Sequence, residues 1–111
     1  MREHLTEVLS NYSRIEIVGL AGNGGEAIES VKALTPDVVI LDIRMPDGSG
    51  IDVLEQVKRF ESPPVVIMFT NYPFPQYRKK CRDAGAEFFF DKSNESHKVI
   101  ETLEFLAERF E

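Results

Sequence analysis

The hydrophobic pattern along the chain switches repeatedly between two periods, one typical of helices and one typical of strands. Apolar residues at helical spacing predict amphipathic helices, and short runs rich in β-branched residues predict strands. The uninterrupted run Val38–Leu41 is typical of a strand buried on both faces of a parallel sheet. Strands that alternate with helices imply right-handed βαβ units, and therefore an α/β fold with a doubly wound parallel sheet. The predicted strands are 15–20, 38–42, 65–70 and 86–91, and the predicted helices lie around 5–12, 26–34, 51–60, 76–84 and 99–106.

Glycines and small polar residues predict where these elements meet. Gly22, Gly24 and Gly25 predict a turn before helix 26–34, and either Ser93 or Asn94 is expected to cap the last helix. Two apolar faces follow from the spacing. The face of helix 26–34 is predicted to contain Ala27, Ile28, Val31 and Leu34, and that of the last helix Val99, Ile100, Leu103, Phe105 and Leu106.

Three polar residues follow successive apolar strands at equivalent positions. They are Asp42, Thr70 and Lys92. Because the carboxyl ends of parallel strands meet at one edge of a sheet, we expect these side chains to lie close together. A carboxylate can attack phosphorus, while an ammonium and a hydroxyl stabilise the charge on phosphoryl oxygens. The pattern therefore indicates a site for phosphorylation of an aspartate.

Composition narrows the classes of function. With 111 residues and 42% hydrophobic content, residues 1–111 are expected to form one domain with no output domain. A net charge of −6 argues against nucleic-acid binding through a basic face. No apolar run is long enough for a membrane span, and the single Cys81 favours a reducing, cytoplasmic location and burial as a small hydrophobe. His4 and His97 have no partners at ligand spacing, which argues against a zinc site.

The motif PDVVILDIRMPDGSGIDVLEQVK, followed by VVIMFT and GAEFFFDKS, resembles the receiver domain of response regulators in two-component signalling. The resemblance covers nearly the whole chain. It implies the flavodoxin-like fold, with helices on both faces of the sheet, and a signalling module rather than an enzyme. It also implies a sensor histidine kinase or phosphotransfer protein as the phosphoryl donor, and a downstream protein as the target.

The resemblance assigns a role to each site residue. Asp42 is the expected phosphoacceptor, Thr70 the switch hydroxyl and Lys92 the lysine that binds the phosphoryl group. Phe89 falls at the switch aromatic, although core packing explains a phenylalanine there equally well. Arg44 would offer its backbone carbonyl to Mg²⁺, beside the carboxylate of Asp42.

The sequence departs from the receiver pattern in several places. Asn71 stands where many receivers have a small residue, and Ser93 stands where many have the proline of a cis peptide. The largest departure is at the start, because Met1 falls within the expected first helix. The first strand and its pair of acidic residues are absent, so four strands instead of five are encoded and weak Mg²⁺ binding is expected. We interpret this as a truncation or an internal start. Strands 15–20 and 38–42 would then expose their inner edges, which could pair with each other, recruit a strand from a second chain in a homodimer, or leave the protein unstable.

Three functions compete. The favoured one is a stand-alone receiver phosphorylated on Asp42, which then changes partner binding. The second is a degenerate receiver that acts as an adaptor or dimerisation module without phosphorylation. The third, a small nucleotide-binding enzyme, depends on Gly22-Asn23-Gly24-Gly25, which lacks both the dinucleotide and the Walker spacing, so a plain turn is favoured. Arg44 and Tyr72 flank the site and are expected to tune dephosphorylation.

Overall fold

The computed structural model describes residues 21–109, so the predicted helix 5–12 and strand 15–20 lie outside the described residues. The helices are α1 (Gly24–Leu34), α2 (Gly50–Val57), α3 (Pro75–Asp83) and α4 (Ser96–Arg109). The strands are β1 (Val38–Leu41), β2 (Arg44–Met45), β3 (Gly48–Ser49), β4 (Val65–Thr70) and β5 (Phe88–Asp91).

The central sheet of the described residues is parallel and has the order β1–β4–β5. Strand β4 lies in the middle because its whole length is apolar until Thr70, and five of its six residues are buried. In the register, Leu41 pairs with Met68 and Thr70 pairs with Asp91. The predicted parallel α/β sheet is therefore confirmed, and the carboxyl ends of the three strands lie at one edge.

Alternation along β4 supplies the two faces of the core. Val66 and Met68 pack in one hydrophobic cluster, and Ile67 and Phe69 pack in the other. The first cluster receives the apolar faces of α1, α2 and α3, whereas the second is covered by α4. Helices thus cover both faces of the sheet, as the flavodoxin-like fold requires. Among residues 21–109, no helix combines the length and apolarity that a membrane span needs.

Several predicted boundaries are wrong. Helix α1 begins at Gly24 instead of residue 26, because the side chain of Asn23 accepts a hydrogen bond from the Glu26 N–H and caps the helix there. Neither Ser93 nor Asn94 immediately precedes α4, which begins at Ser96. The Ser93 N–H and hydroxyl donate instead to the carboxylate of Asp91.

Two residues assigned to apolar faces are exposed. Leu34 is 45% exposed and Phe105 is 53% exposed. Leu34 is the last residue of α1, before the left-handed Thr35 that ends the helix, and Phe105 lies beneath the guanidinium of Arg109, 5.5 Å from its ring centroid. Helical spacing alone overestimates the width of an apolar face, since only the part that meets the sheet is covered.

Candidate functional site

Asp42 and Lys92 form an ion pair at the carboxyl edge of the sheet. Asp42 follows β1 and Lys92 follows β5, and Lys92 Nζ lies 2.7 Å from Asp42 Oδ2. Both side chains are largely shielded from solvent, with relative exposures of 14% for Lys92 and 26% for Asp42. A partly buried pair of this kind is less screened than a surface ion pair. The structure therefore brings together the carboxylate and ammonium that the sequence placed on different strands.

Thr70 lies between them in the sheet, at the end of β4. It is fully buried, and its carbonyl accepts a hydrogen bond of 2.9 Å from the Lys92 N–H. Its hydroxyl oxygen accepts a hydrogen bond of 3.1 Å from the Tyr72 N–H. A hydroxyl that accepts a hydrogen bond can still donate its own hydrogen to a nearby oxygen. Thr70 thus occupies the same edge of the sheet as Lys92.

Arg44 contacts the site through its backbone and its side chain. Its N–H points to Asp42 Oδ1 at 3.4 Å, a long hydrogen bond. Its guanidinium donates to the Tyr72 hydroxyl at 3.3 Å and lies 5.2 Å from the centroid of the Tyr72 ring. This contact joins the segment after β1 to the segment after β4. The two flanking residues named from the sequence are therefore in contact with each other.

A short hairpin follows Asp42 and carries Arg44. Strands β2 and β3 pair antiparallel, Arg44 with Ser49 and Met45 with Gly48, and Pro46 and Asp47 form the tip. The Gly50 N–H closes the base by donating to the Ile43 carbonyl at 2.6 Å. We call residues 44–49 the acceptor hairpin. At Gly50, any Cβ atom would overlap the carbonyl oxygen of Asp42. Glycine is therefore required there, because the two backbone segments approach each other closely.

Phe89 lies in β5, half-buried against the first hydrophobic cluster. The guanidinium of Arg78, from α3, lies 4.7 Å from the centroid of its ring. Arg78 also reaches Glu95 Oε1 at 3.9 Å, in the segment between β5 and α4. The aromatic ring is thus in contact with a helix that flanks the sheet edge, and core packing accounts for part of its surface.

The described residues supply few ligands for a divalent cation. The carboxylate oxygens of Asp42 are engaged by Lys92 and by the Arg44 N–H. Between residues 21 and 109, no cluster of at least three histidine, cysteine, aspartate or glutamate side chains could hold a metal ion. Mg²⁺ needs near-octahedral oxygen coordination and is usually held through carboxylates. These residues by themselves therefore do not fit a complete Mg²⁺ site.

The sequence did not predict a pair of hydrogen bonds to Asp47. Its carboxylate accepts hydrogen bonds from the Gly24 N–H at 2.8 Å and from the Gly25 N–H at 3.1 Å. These two bonds lower the pKa of Asp47 below its ordinary value. The glycines singled out as a turn are therefore the first residues of a helix, and their N–H groups are paired with a side chain of the acceptor hairpin. The closely spaced glycines were a signal for close backbone approach, but nothing local identified the partner.

Relatives with curated functions match most of the chain. A protein-glutamate methylesterase/protein-glutamine glutaminase from Geobacillus kaustophilus (strain HTA426) is 43% identical over 68 residues, which cover 61% of this chain and 20% of that protein. The DNA-binding transcriptional activator EvgA from Escherichia coli (strain K12) is 34% identical over 90 residues, which cover 81% of this chain and 44% of that protein. The chain thus spans less than half the length of these relatives.

Solved structures match the fold more completely. The signal receiver domain of NarL from Mycobacterium tuberculosis superposes with a TM-score of 0.87 at 30% identity, covering 96% of this chain and 86% of that one. A chain of the CheX–CheY–BeF₃–Mg²⁺ complex from Borrelia burgdorferi superposes with a TM-score of 0.84 at 30% identity, covering 95% of this chain and 79% of that one.

The family model for the response regulator receiver domain matches residues 1–104. This match agrees with the parallel sheet, the ion pair at its carboxyl edge and the solved receiver domains that superpose on it. The chain belongs to the response regulator receiver domain family of two-component signalling.

Proposed function

We propose that this receiver accepts a phosphoryl group on Asp42 from a histidine kinase or a phosphotransfer protein, and that the modification changes which protein it binds. The observation that carries the proposal is the 2.7 Å contact between Lys92 Nζ and Asp42 Oδ2. A cation at this distance offsets the negative charge of the acceptor and of an incoming phosphoryl group. Receiver domains in general act as signalling modules rather than as enzymes.

In the proposed transfer, a carboxylate oxygen of Asp42 attacks phosphorus as the bond to the donor imidazole nitrogen breaks. The electron pair of that bond stays on the nitrogen, and an acyl phosphate forms on Asp42. Lys92 exchanges its contact with Asp42 for the new phosphoryl oxygens, and the Thr70 hydroxyl donates its hydrogen to one of them. The Arg44–Tyr72 contact borders the acceptor and is proposed to limit access of water during dephosphorylation.

Phe89 is proposed to carry the change from the acceptor to the binding surface. Its ring contacts Arg78 of α3, and Arg78 also approaches Glu95. A change of the Phe89 rotamer would release this contact and alter the surface that α3 and β5 present. The expected consequence is a shift between two populations of one fold.

Mg²⁺ is typical of the family, and the CheX–CheY complex with a chain similar to this one was solved with BeF₃ and Mg²⁺. When bound, the metal neutralises phosphoryl oxygens. Because the described residues provide Asp42 and few other oxygen ligands, we propose that Mg²⁺ binds this chain weakly. The proposed phosphorylation is therefore expected to require a high Mg²⁺ concentration.

Incubation with phosphoramidate at graded Mg²⁺ concentrations, followed by intact-mass measurement, tests the proposal. The expected result is the gain of one phosphoryl group by the unmodified sequence and by Asp52→Asn, and no gain by Asp42→Asn. Asp52 is a suitable control because it is an exposed aspartate in the first turn of α2. Absence of phosphorylation in the unmodified sequence would contradict the proposal and favour the adaptor function.

Stand-alone action, a cytoplasmic location and dimerisation through the sheet edge stay predictions. The curated relatives carry the matching region within longer proteins, a DNA-binding activator among them. An immunoblot of cell extract tests the first prediction, because a stand-alone protein of this sequence has a mass of 12.6 kDa.

A further inference from the structure

The tip of the acceptor hairpin is bound to a helix far away in the sequence. Asp47 Oδ1 accepts from the Gly24 N–H at 2.8 Å and Asp47 Oδ2 accepts from the Gly25 N–H at 3.1 Å, across sequence separations of 23 and 22 residues. Each carboxylate oxygen therefore accepts a hydrogen bond from one of two consecutive backbone N–H groups. This arrangement is the two-pronged contact by which a helix N-terminus binds an anion.

The start of α1 is built so that the carboxylate can approach. The side chain of Asn23 satisfies the Glu26 N–H, which leaves the N–H groups of Gly24 and Gly25 for a further acceptor. A Cβ atom at Gly24 would lie 3.0 Å from Val53 Cγ2 and 3.2 Å from Asp47 Oδ1. Glycine at position 24 therefore provides the room that the carboxylate and α2 both need.

The hairpin also contacts the acceptor directly. Its first residue, Arg44, directs its N–H to Asp42 Oδ1 and its guanidinium to Tyr72. The hairpin is closed at its base by the Gly50 N–H and bound at its tip by Asp47. Arg44 lies in the sequence between these two fixed points, next to Asp42.

We propose that Asp47 is a positioning residue, whose carboxylate holds the acceptor hairpin on the N-terminus of α1 and so places Arg44 beside Asp42. Nothing in the proposed chemistry touches Asp47. Its effect on phosphorylation is indirect, and this part of the inference depends on the proposed function.

The positioning role is tested by ¹H–¹⁵N correlation spectra and amide exchange of the folded 111-residue chain and its variants. In Asp47→Ala, amide exchange at Gly24 and Gly25 is expected to rise about tenfold or more, which corresponds to the loss of one hydrogen bond. The Arg44 amide and side-chain resonances are expected to shift as well, because the guanidinium leaves the ring current of Tyr72. Asp47→Asn keeps one acceptor oxygen and is expected to give an intermediate result.

Asp52→Asn is the matched control, since it removes an exposed aspartate charge from the neighbouring helix α2. It is expected to leave the Gly24, Gly25 and Arg44 resonances in place. If the spectrum of Asp47→Ala changes only at Gly24 and Gly25 while the Arg44 resonances stay in place, Asp47 acts only as a helix cap and the inference is overturned. If circular dichroism shows that Asp47→Ala is unfolded, the Asp47→Asn spectra decide by the same criteria.

Phosphorylation by phosphoramidate gives the functional readout. Because the Arg44 N–H contacts Asp42 Oδ1, a displaced hairpin is expected to displace the reacting carboxylate too, and a displacement of about 1 Å can cost about a hundredfold in rate. Asp47→Ala is therefore expected to react at least about tenfold more slowly. Asp52→Asn is expected to keep the original rate. An unchanged rate in Asp47→Ala, with the unmodified chain reactive, would contradict a role in positioning the acceptor. If the unmodified chain takes no phosphoryl group, the proposed function fails, and the position of Arg44 in the spectra still decides whether Asp47 holds the hairpin.

Discussion

Lys92 Nζ donates to Asp42 Oδ2 at 2.7 Å, although the two residues are separated by 50 positions in the sequence. The pair forms because β1 and β5 flank β4 in one parallel sheet, so that the residues after them meet across the end of β4. The contact is partly shielded from water, where a charge interaction is stronger than at the open surface. The ammonium group of Lys92 is therefore in direct contact with the carboxylate of Asp42.

Substitution Lys92→Met is expected to slow phosphorylation of Asp42 by about a hundredfold or more, because a preorganised positive donor is lost beside the phosphoryl oxygens. The rate of phosphoryl incorporation by intact mass is the measurement. Lys98→Met is the control, since Lys98 pairs with Glu95 at 2.9 Å on the surface. Equal rates in the two variants would contradict the role of Lys92.

Substitution Gly50→Ala is expected to destabilise the protein by at least about 2 kcal/mol, because the new methyl group overlaps the backbone carbonyl of Asp42. Urea unfolding followed by circular dichroism measures the change. At Gly25 the nearest atom to a Cβ is Asn23 Oδ1 at 3.4 Å, so Gly25→Ala should stay within about 1 kcal/mol of the original stability. If Gly50→Ala were as stable as Gly25→Ala, the backbone around Gly50 would be able to move away from the Asp42 carbonyl, and the prediction would be wrong.

Glu87 is expected to stabilise the start of the sheet. Its carboxylate accepts from the buried Val66 N–H at 2.9 Å and from Lys58 Nζ at 2.7 Å. Glu87→Ala leaves the N–H without this acceptor and should cost about 1–3 kcal/mol of unfolding free energy. Glu101→Ala, at an exposed position of α4, is the control in the same urea titration and should change stability by less than about 0.5 kcal/mol. Equal losses would indicate that Val66 finds another acceptor.

The Cys81 thiol is expected to resist modification in the native protein. Burial raises its pKa to about 11 from the ordinary 9.0, and only the thiolate reacts with alkylating reagents. At pH 8, the native thiolate fraction is then roughly one in a thousand. Alkylation with iodoacetamide, followed by mass, should be slow until urea unfolds the chain, and equally fast reaction in both states would contradict burial of the thiol.

The raised pKa of Cys81 also makes the free energy of unfolding depend on pH. The folded chain holds the thiol proton more tightly than the unfolded chain, so the contribution is complete below pH 9 and is lost as the pH rises toward 11. Cys81→Ala removes this titration. The expected result is a smaller loss of unfolding free energy between pH 9 and 11 in the variant than in the original sequence.

The elements of the fold were largely predictable because their signals are local. The run that forms β4 is apolar from Val65 to Phe69, which predicts a strand without knowledge of its neighbours. The proximity of Asp42 and Lys92 could also be predicted, because the carboxyl ends of parallel strands lie at the same edge of a sheet. Leu34 and Phe105 were predicted on apolar helix faces but are exposed, because helical spacing does not report how far the neighbouring sheet extends.

The two hydrogen-bond donors to the carboxylate of Glu87 were not predictable in the same way. The bond from Val66 to Glu87 joins residues 21 positions apart, and either partner could pair with water in an isolated segment. Asp47 is a similar case, since its position in the sequence is typical of an ordinary exposed turn residue. Its partners are the backbone N–H groups of Gly24 and Gly25, and glycine at these positions indicates a close approach without identifying which side chain approaches.

The order of the three strands of the central sheet and of the helices around them, the family, and the presence of Asp42, Thr70 and Lys92 at the carboxyl edge could all be predicted from the sequence, since periodicity and motif spacing encode them along the chain. Three contacts became known only from the folded structure: Asp47 binds the N-terminus of α1, Arg44 packs on Tyr72, and the backbone of Gly50 lies close to the Asp42 carbonyl. These contacts depend on distances of a few ångströms between segments that the chain brings together only on folding. That is why their partners cannot be recognised from residue type or spacing.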